Sequence, residues 1–289
     1  MTKRKGIILA GGLGSRLYPL TMAVSKQLLP VYDKPMVYYP LTVLMLAGIR
    51  EILVITTQQD KELFQRLLGD GRQWGIHLEY KVQPSPDGLA QAFILAEDFL
   101  DGAPSAMVLG DNIFFGHGLP EVLADADAQD TGATVFGYHV SDPERYGVVG
   151  FDDTGKVQSI IEKPEVPSSN YAVTGLYFMD GTAPKRAKQV TPSTRGELEI
   201  TSLLETYLNE GTLRVEKIGR GYAWLDTGTH ASLLDASNFV RTLTERQGLQ
   251  VGSPDEVAYE MKWITKDQML ERAQTFEKGN YGEYLRKIK

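Results

Sequence analysis

The sequence predicts an α/β fold, an open mixed sheet flanked by helices, and three observations carry that reading. Short apolar runs recur without period-2 alternation at residues 7–10, 52–56, 106–109 and 133–138. Such runs fit strands buried on both faces, as in a parallel sheet. Helically spaced apolar residues fill the intervals at 36–47, closed by Gly48, and at 89–100. The alternation of strand and helix gives a Rossmann-like sheet covered on both sides. Right-handed crossovers then gather the loops after the strands at one edge, where such sheets hold ligands. A chain of 289 residues, 42% of them hydrophobic, is long enough to bury the core this requires.

The pattern changes after about residue 140. Residues 146–151, the turn Asp152-Asp153-Thr154-Gly155 and residues 156–161 read as a hairpin, and 171–179 as a further strand. A helix is expected over 197–208, short strands over 213–218 and 223–225, and a long helix over 230–246. Two or three short amphipathic helices follow from Asp255. With no linker, repeat or low-complexity run, residues 1–289 read as a single domain with an insertion and a helical C-terminal appendage.

Composition narrows the function. The net charge is −7, which argues against a nucleic-acid partner, because a phosphate backbone needs a basic surface. There are no cysteines, so disulfides, thiolate metal sites and cysteine nucleophiles are excluded. His77, His117, His139 and His230 show no zinc-ligand spacing. No run approaches the roughly 18–20 apolar residues that span a membrane, and the first residues lack a signal-peptide pattern. A soluble cytoplasmic protein is expected.

Five segments can carry chemistry. Gly11-Gly12-Leu13-Gly14-Ser15-Arg16 follows the first strand; glycines let backbone amides approach an anion, and Arg16 adds a planar cation. The glycines alone read equally well as a plain turn. The string fits neither a P-loop nor a dinucleotide fingerprint, lacking the Lys-Ser/Thr of one and the third glycine of the other. Lys26 can reach the same anion, although a lone lysine is most often solvated. Asp111-Asn112 follows a buried strand, where a carboxylate faces the ligand crevice and suits Mg²⁺; it also reads as an ordinary turn. Asp226 offers a second carboxylate, or a helix N-cap. Glu162-Lys163 is a charged pair at a strand end, or a surface salt bridge of little worth.

Taken together these segments resemble the sugar-phosphate nucleotidylyltransferases, in particular their thymidylyltransferase branch. The resemblance runs through nearly the whole chain. It rests on Gly6-Ile7-Ile8-Leu9-Ala10-Gly11-Gly12, Ser25-Lys26-Gln27-Leu28-Leu29-Pro30 and Ser85-Pro86-Asp87-Gly88-Leu89-Ala90. It continues through Leu109-Gly110-Asp111-Asn112, Tyr146-Gly147-Val148-Val149, Glu162-Lys163-Pro164, Arg195-Gly196-Glu197-Leu198-Glu199 and Trp224-Leu225-Asp226-Thr227-Gly228. Ser15 stands where the family usually has threonine, which keeps the hydroxyl.

The resemblance implies a reaction in which the phosphate of glucose 1-phosphate attacks the α-phosphorus of dTTP, giving dTDP-glucose and pyrophosphate. It implies Mg²⁺ held by Asp111 and Asp226, with Arg16 and Lys26 on the triphosphate and Lys163 on the sugar phosphate. Gly11, Gly12, Gly14, Ser15, Gln27, Gln83 and Gly88 fall to the nucleotide. Tyr146, Gly147, Glu162 and Val173 fall to the sugar, and Pro86, Asn112 and Trp224 to the substrates without a division between them. On this reading residues 1–140 mainly bind nucleotide, 141–229 mainly bind sugar phosphate, and 230–289 make oligomer or regulatory contacts. The resemblance further implies a homotetramer built as a dimer of dimers, service to dTDP-rhamnose or another dTDP-deoxysugar, and an allosteric site near Gly116, His117, Arg220 and Glu256.

Overall fold

The computed structural model describes residues 3–289. Four parallel strands form one side of the main sheet, running inward from its edge in the spatial order His77–Val82, Glu51–Thr56, Lys5–Ala10 and Ser105–Leu109. From Lys5–Ala10 the chain winds outward through the next two strands, then returns to lay Ser105–Leu109 on the opposite side. The order therefore reverses between Lys5–Ala10 and Ser105–Leu109. Beyond their carboxyl ends a crevice opens, as it does at such switch points in doubly wound sheets.

The apolar runs are continuous because successive side chains feed two cores. Ile8 packs with Leu41 and Leu44 of the helix Tyr38–Leu46, with Phe64 of the helix Lys61–Leu68, and with Trp74. Ile7 and Leu9 point the other way, toward Phe93, Ala96, Leu203 and Tyr207. Each fully buried side chain of this kind contributes about 1.5–3 kcal/mol.

The run at 133–138 is not a further parallel partner of the first strands. Its strand, Ala133–His139, is separated from Ser105–Leu109 by Tyr171–Met179, which runs antiparallel to both. A run buried on both faces looks the same in either setting, so only the pairing distinguishes them. Leu213–Ile218 then lies parallel to Ala133–His139. The expected hairpin is present as Gly147–Phe151 and Val157–Glu162. Asp152 Oδ1 closes its turn by accepting from the Thr154 and Lys156 amides, each at 2.9 Å. The strand Tyr171–Met179 pairs with Ser105–Leu109 over residues 176–179 and with Gly147–Phe151 at Ala172. Residues 173–175 have no partner on that edge, and the crevice extends into the gap.

Other helices differ from expectation in extent. The stretch 89–100 forms Gln91–Leu95 and Glu97–Leu100, bridged by Ala96 N to Ala92 O at 2.9 Å and Leu100 N to Ala96 O at 2.8 Å. The helix expected from 197 begins later, at Ile200, and ends at Asn209. Residues 197–199 stay extended because Leu198 pairs by its backbone with Asp87 and Ala90, at 2.6 and 3.1 Å. The long helix is His230–Gln247, capped by Thr229 and Ser232 in a reciprocal capping box. Three helices follow, Pro254–Glu260, Lys266–Thr275 and Asn280–Lys287. No helix among the described residues is long and apolar enough to cross a membrane.

Candidate active site

A cleft of about 650 Å³ opens at the switch point. Its floor comes from the ends of the two central strands and from a two-stranded antiparallel sheet, Asn112–Gly116 with Tyr222–Asp226. In that small sheet Asp226 lies opposite Asn112, which brings the second carboxylate beside Asp111. Thr227 fixes the approach: its amide and its hydroxyl both donate to the Asp111 carbonyl, at 3.2 and 2.8 Å. Asp226 is thus no N-cap; Thr229 has that role.

The two carboxylates occupy a buried, electrostatically unequal setting. Burial opposes ionisation of Asp111, but the Lys26 ammonium against it holds the carboxyl below its ordinary value. Lys26 is accordingly buried rather than solvated. Burial and the Asp111 charge push Asp226 up to about 6, against the pull of Lys26, Arg16 and Arg145. Two like charges held together in a partly buried site are the condition a divalent cation relieves, and a hard cation with phosphate ligands needs only one or two carboxylates. No cluster of three or more potential ligands occurs among the described residues, so phosphates and water would complete the shell.

Asn112 orients this pair. Its Oδ1 accepts from Trp224 Nε1 at 2.6 Å and from the Gly175 amide at 3.1 Å, while its Nδ2 donates to Asp111 Oδ1 at 3.0 Å. Its Oδ1 is therefore spent within the protein, while Nδ2 has a second N–H to donate.

The glycine segment and Gln83 meet at one end of the cleft. A Cβ on Gly11 would stand 2.0 Å from Gln83 Oε1, so any other residue there would make that amide move. Gln83 Nε2 donates to Gln91 Oε1 at 2.6 Å, and Gln91 in turn donates to Asp87 at 2.8 Å. Gly88 has φ +112° and lies hard against the Leu198 backbone, a conformation and a clearance that exclude a side chain. Gln27 is held by the Ser25 hydroxyl at 2.6 Å. The Ser25 amide is in turn pinned at 3.1 Å by Asp60, which precedes the helix Lys61–Leu68.

At the other end, Tyr146 stacks edgewise on Trp224 with ring centres 5.1 Å apart. Lys163 adopts φ +41°, a left-handed conformation costly for a lysine, and its amide donates to the Tyr146 carbonyl at 2.9 Å. Its ammonium lies 3.7 Å from Glu162. Burial raises the Glu162 pKa above its ordinary value, opposed by Lys163 and reinforced by Glu199.

Sixteen of the residues singled out by sequence line this one cleft: Gly12, Arg16, Lys26, Gln27, Gln83, Pro86, Gly88, Asp111, Asn112, Tyr146, Gly147, Glu162, Lys163, Val173, Trp224 and Asp226. Gly11 sits behind Gln83, while Gly14 caps the short turn Ser15–Leu17. Gly116, His117 and Arg220 lie toward the end of the two-stranded sheet away from Asp226, where Gly116 pairs with Tyr222. Glu256 is bound instead into the C-terminal helices, accepting from the Tyr284 hydroxyl. Sequence reasoning missed Arg145, Tyr177, Arg195, Glu197, Glu199 and Thr201, all of which line the cleft. The alternating charges of Arg195-Gly196-Glu197-Leu198-Glu199 were a usable signal: Arg195 Nη2 lies 2.8 Å from Glu199 and 3.4 Å from Glu197.

Paired carboxylates and cations in a cleft at the switch point of a doubly wound sheet suit a nucleotidyltransferase, and residues 5–242 match the family described as Nucleotidyl transferase. The chain is 63% identical to a glucose-1-phosphate thymidylyltransferase of Xanthomonas campestris pv. campestris, over 99% of this chain and 97% of that one. A glucose-1-phosphate thymidylyltransferase of Neisseria gonorrhoeae is 58% identical, over 97% and 98%. Among solved structures, a Bacillus anthracis protein assigned as a glucose-1-phosphate thymidylyltransferase, in complex with a sucrose, superposes with a TM-score of 0.76 at 42% identity. The match covers 82% of this chain and 95% of that one. The chain belongs to the glucose-1-phosphate thymidylyltransferase family.

Proposed function

We propose that this protein transfers the thymidylyl group of dTTP to α-D-glucose 1-phosphate, releasing dTDP-glucose and pyrophosphate, with Mg²⁺ held by Asp111 and Asp226. The observation that carries this reading is that the paired carboxylates share one cleft with two differently built groups of lining residues. Gln83 and Gly88 suit a planar base at one end. Tyr146, Gly147, Glu162 and Val173 suit a sugar at the other.

The attacking phosphate is already ionised, so no general base is needed, and catalysis becomes alignment and charge stabilisation. Mg²⁺ would supply neutralisation of the phosphates at the reacting centre. Arg16 and Lys26 balance the triphosphate and the leaving pyrophosphate, and Lys163 holds the sugar phosphate. Glu162 accepts from sugar hydroxyls, so an analogue lacking them forfeits those hydrogen bonds to a half-buried carboxylate. The high identity to thymidylyltransferases along the whole chain supports dTTP over other nucleotides. We further propose a cytoplasmic homotetramer, a dimer of dimers, that supplies dTDP-deoxysugar synthesis such as that of dTDP-rhamnose. Its allosteric site would lie between subunits, drawing on the segments that hold Gly116, His117, Arg220 and Glu256.

The test is a matrix of dTTP, UTP, CTP and ATP against several sugar 1-phosphates, read as pyrophosphate release with and without Mg²⁺. dTTP with glucose 1-phosphate should give the highest kcat/KM. A clear preference for UTP would overturn the thymidylyl assignment.

A further inference from the structure

Five cations line the cleft: Arg16, Lys26, Arg145, Lys163 and Arg195. Five carboxylates line it too: Asp111, Glu162, Glu197, Glu199 and Asp226. The walls are therefore balanced before two multiply charged phosphates enter. Lys26 is committed to Asp111, Lys163 lies against Glu162, and Arg195 is shared among Glu162, Glu197 and Glu199. Arg145 differs. Its guanidinium is paired at 2.6 Å with Asp142, a residue that does not line the cleft. Both side chains of that pair are well exposed, at 45% and 37%, so the bond is worth little and breaks easily.

The position of Arg145 suits a mobile cation. It ends the short turn Pro143–Arg145, one residue before Tyr146 and the strand Gly147–Phe151. Its guanidinium lies 5.5 Å from the Tyr146 ring, and its charge reaches Asp226. A planar, permanently charged fork at that point matches phosphate oxygens bidentately. We propose that Arg145 leaves Asp142 when substrates bind and contacts phosphoryl oxygens at the reacting centre beside Asp226. This proposal rests on the nucleotidyl-transfer reading above, and it makes Arg145 a catalytic residue and Asp142 the place where it waits.

Arg145→Ala, Arg145→Lys and Asp142→Asn should be compared with the intact protein in two assays: turnover of dTTP with glucose 1-phosphate, and calorimetric titration with inorganic pyrophosphate in the presence of Mg²⁺. Thermal melting checks the fold of each. Arg145→Ala should lower kcat by about 10²-fold, the scale seen when a donor to developing charge is removed. It should also weaken pyrophosphate binding several-fold. Arg145→Lys should recover only part of both. Asp142→Asn should stay within about threefold of the intact protein in kcat, because phosphate binding does not need the waiting pair. A merely structural ion pair predicts the opposite, equal damage from Asp142→Asn and Arg145→Ala, and that result overturns the proposal. Unchanged turnover in Arg145→Ala overturns it as well. If the intact protein turns over no dTTP with glucose 1-phosphate, the functional reading falls, and the titration then judges Arg145 alone. Equal pyrophosphate affinity in the intact protein and Arg145→Ala rejects its role.

Discussion

Trp224 Nε1 donates to Asn112 Oδ1 at 2.6 Å, and the same oxygen accepts from the Gly175 amide at 3.1 Å. One side chain thus joins the small sheet to the strand Tyr171–Met179, and its Nδ2 steadies Asp111 from the side opposite Lys26. Asn112→Ala should leave the Trp224 indole N–H and the Gly175 amide unpaired, at a cost of about 1–3 kcal/mol. Urea unfolding would measure it. kcat should fall by at least about tenfold, since misplacing a charged group by a fraction of an ångström is felt in the transition state. Trp224→Phe keeps Asn112 bound to Gly175 and Asp111 and should cost less in kcat. If Asn112→Ala retained full turnover, its orienting role would be lost.

Asp111→Asn is the direct test of the paired carboxylates. Turnover should drop by more than about 10²-fold, because the amide is neutral and a poor ligand for a hard cation. The amide can still accept from Lys26, so the far-UV spectrum and a cooperative melt should survive. Near-normal pyrophosphate release by this variant would remove Asp111 from the metal role.

Gly11→Ala should act through Gln83. The new methyl would stand 2.0 Å from Gln83 Oε1, so the amide must swing away from its bond to Gln91. If Gln83 reads the base, the KM for dTTP should rise about tenfold while kcat changes less, the signature of lost uniform binding. A double-mutant cycle makes the argument strict. Gln83→Ala should cost little more in the Gly11→Ala background, because both changes remove the same contact. Full additivity would separate the two residues.

What the sequence made legible was local. The run at residues 7–10, the glycine segment and Asp111 just after a buried strand are neighbours along the chain, and their meaning follows from spacing. The pairing of Asp226 with Asn112 is not local. Ile113-Phe114-Phe115 has the composition of a strand, but nothing local names its partner, which lies more than a hundred residues away. The helix Lys61–Leu68 and the strand His77–Val82 were also missed, being short and strongly charged. Lys26 alone read as a solvated lysine, since nothing in its sequence neighbourhood reveals that Asp111 comes to meet it. Arg145 and Thr201 reach the cleft through strand and helix ends set by tertiary packing, which no short pattern encodes.

The C-terminal helices carry a pH dependence of their own. Glu256 accepts from the Tyr284 hydroxyl and faces Lys34 and Glu260. Burial, aided by Glu260 and opposed by Tyr284 and Lys34, pushes its carboxyl up to about 7 from an ordinary 4.5. The folded chain therefore holds this proton more tightly than the unfolded chain does. The resulting stability is fully present below pH 4.5 and is lost as pH rises through about 7. The loss is at most roughly 3 kcal/mol, at about 1.4 kcal/mol for each tenfold difference in proton affinity between the folded and unfolded chains. Glu256→Gln removes the titration and keeps an acceptor for Tyr284. Its advantage over the intact protein in urea midpoint should be larger at pH 8 than at pH 5. Parallel stability profiles for the two proteins across that range would show that Glu256 titrates normally in the fold.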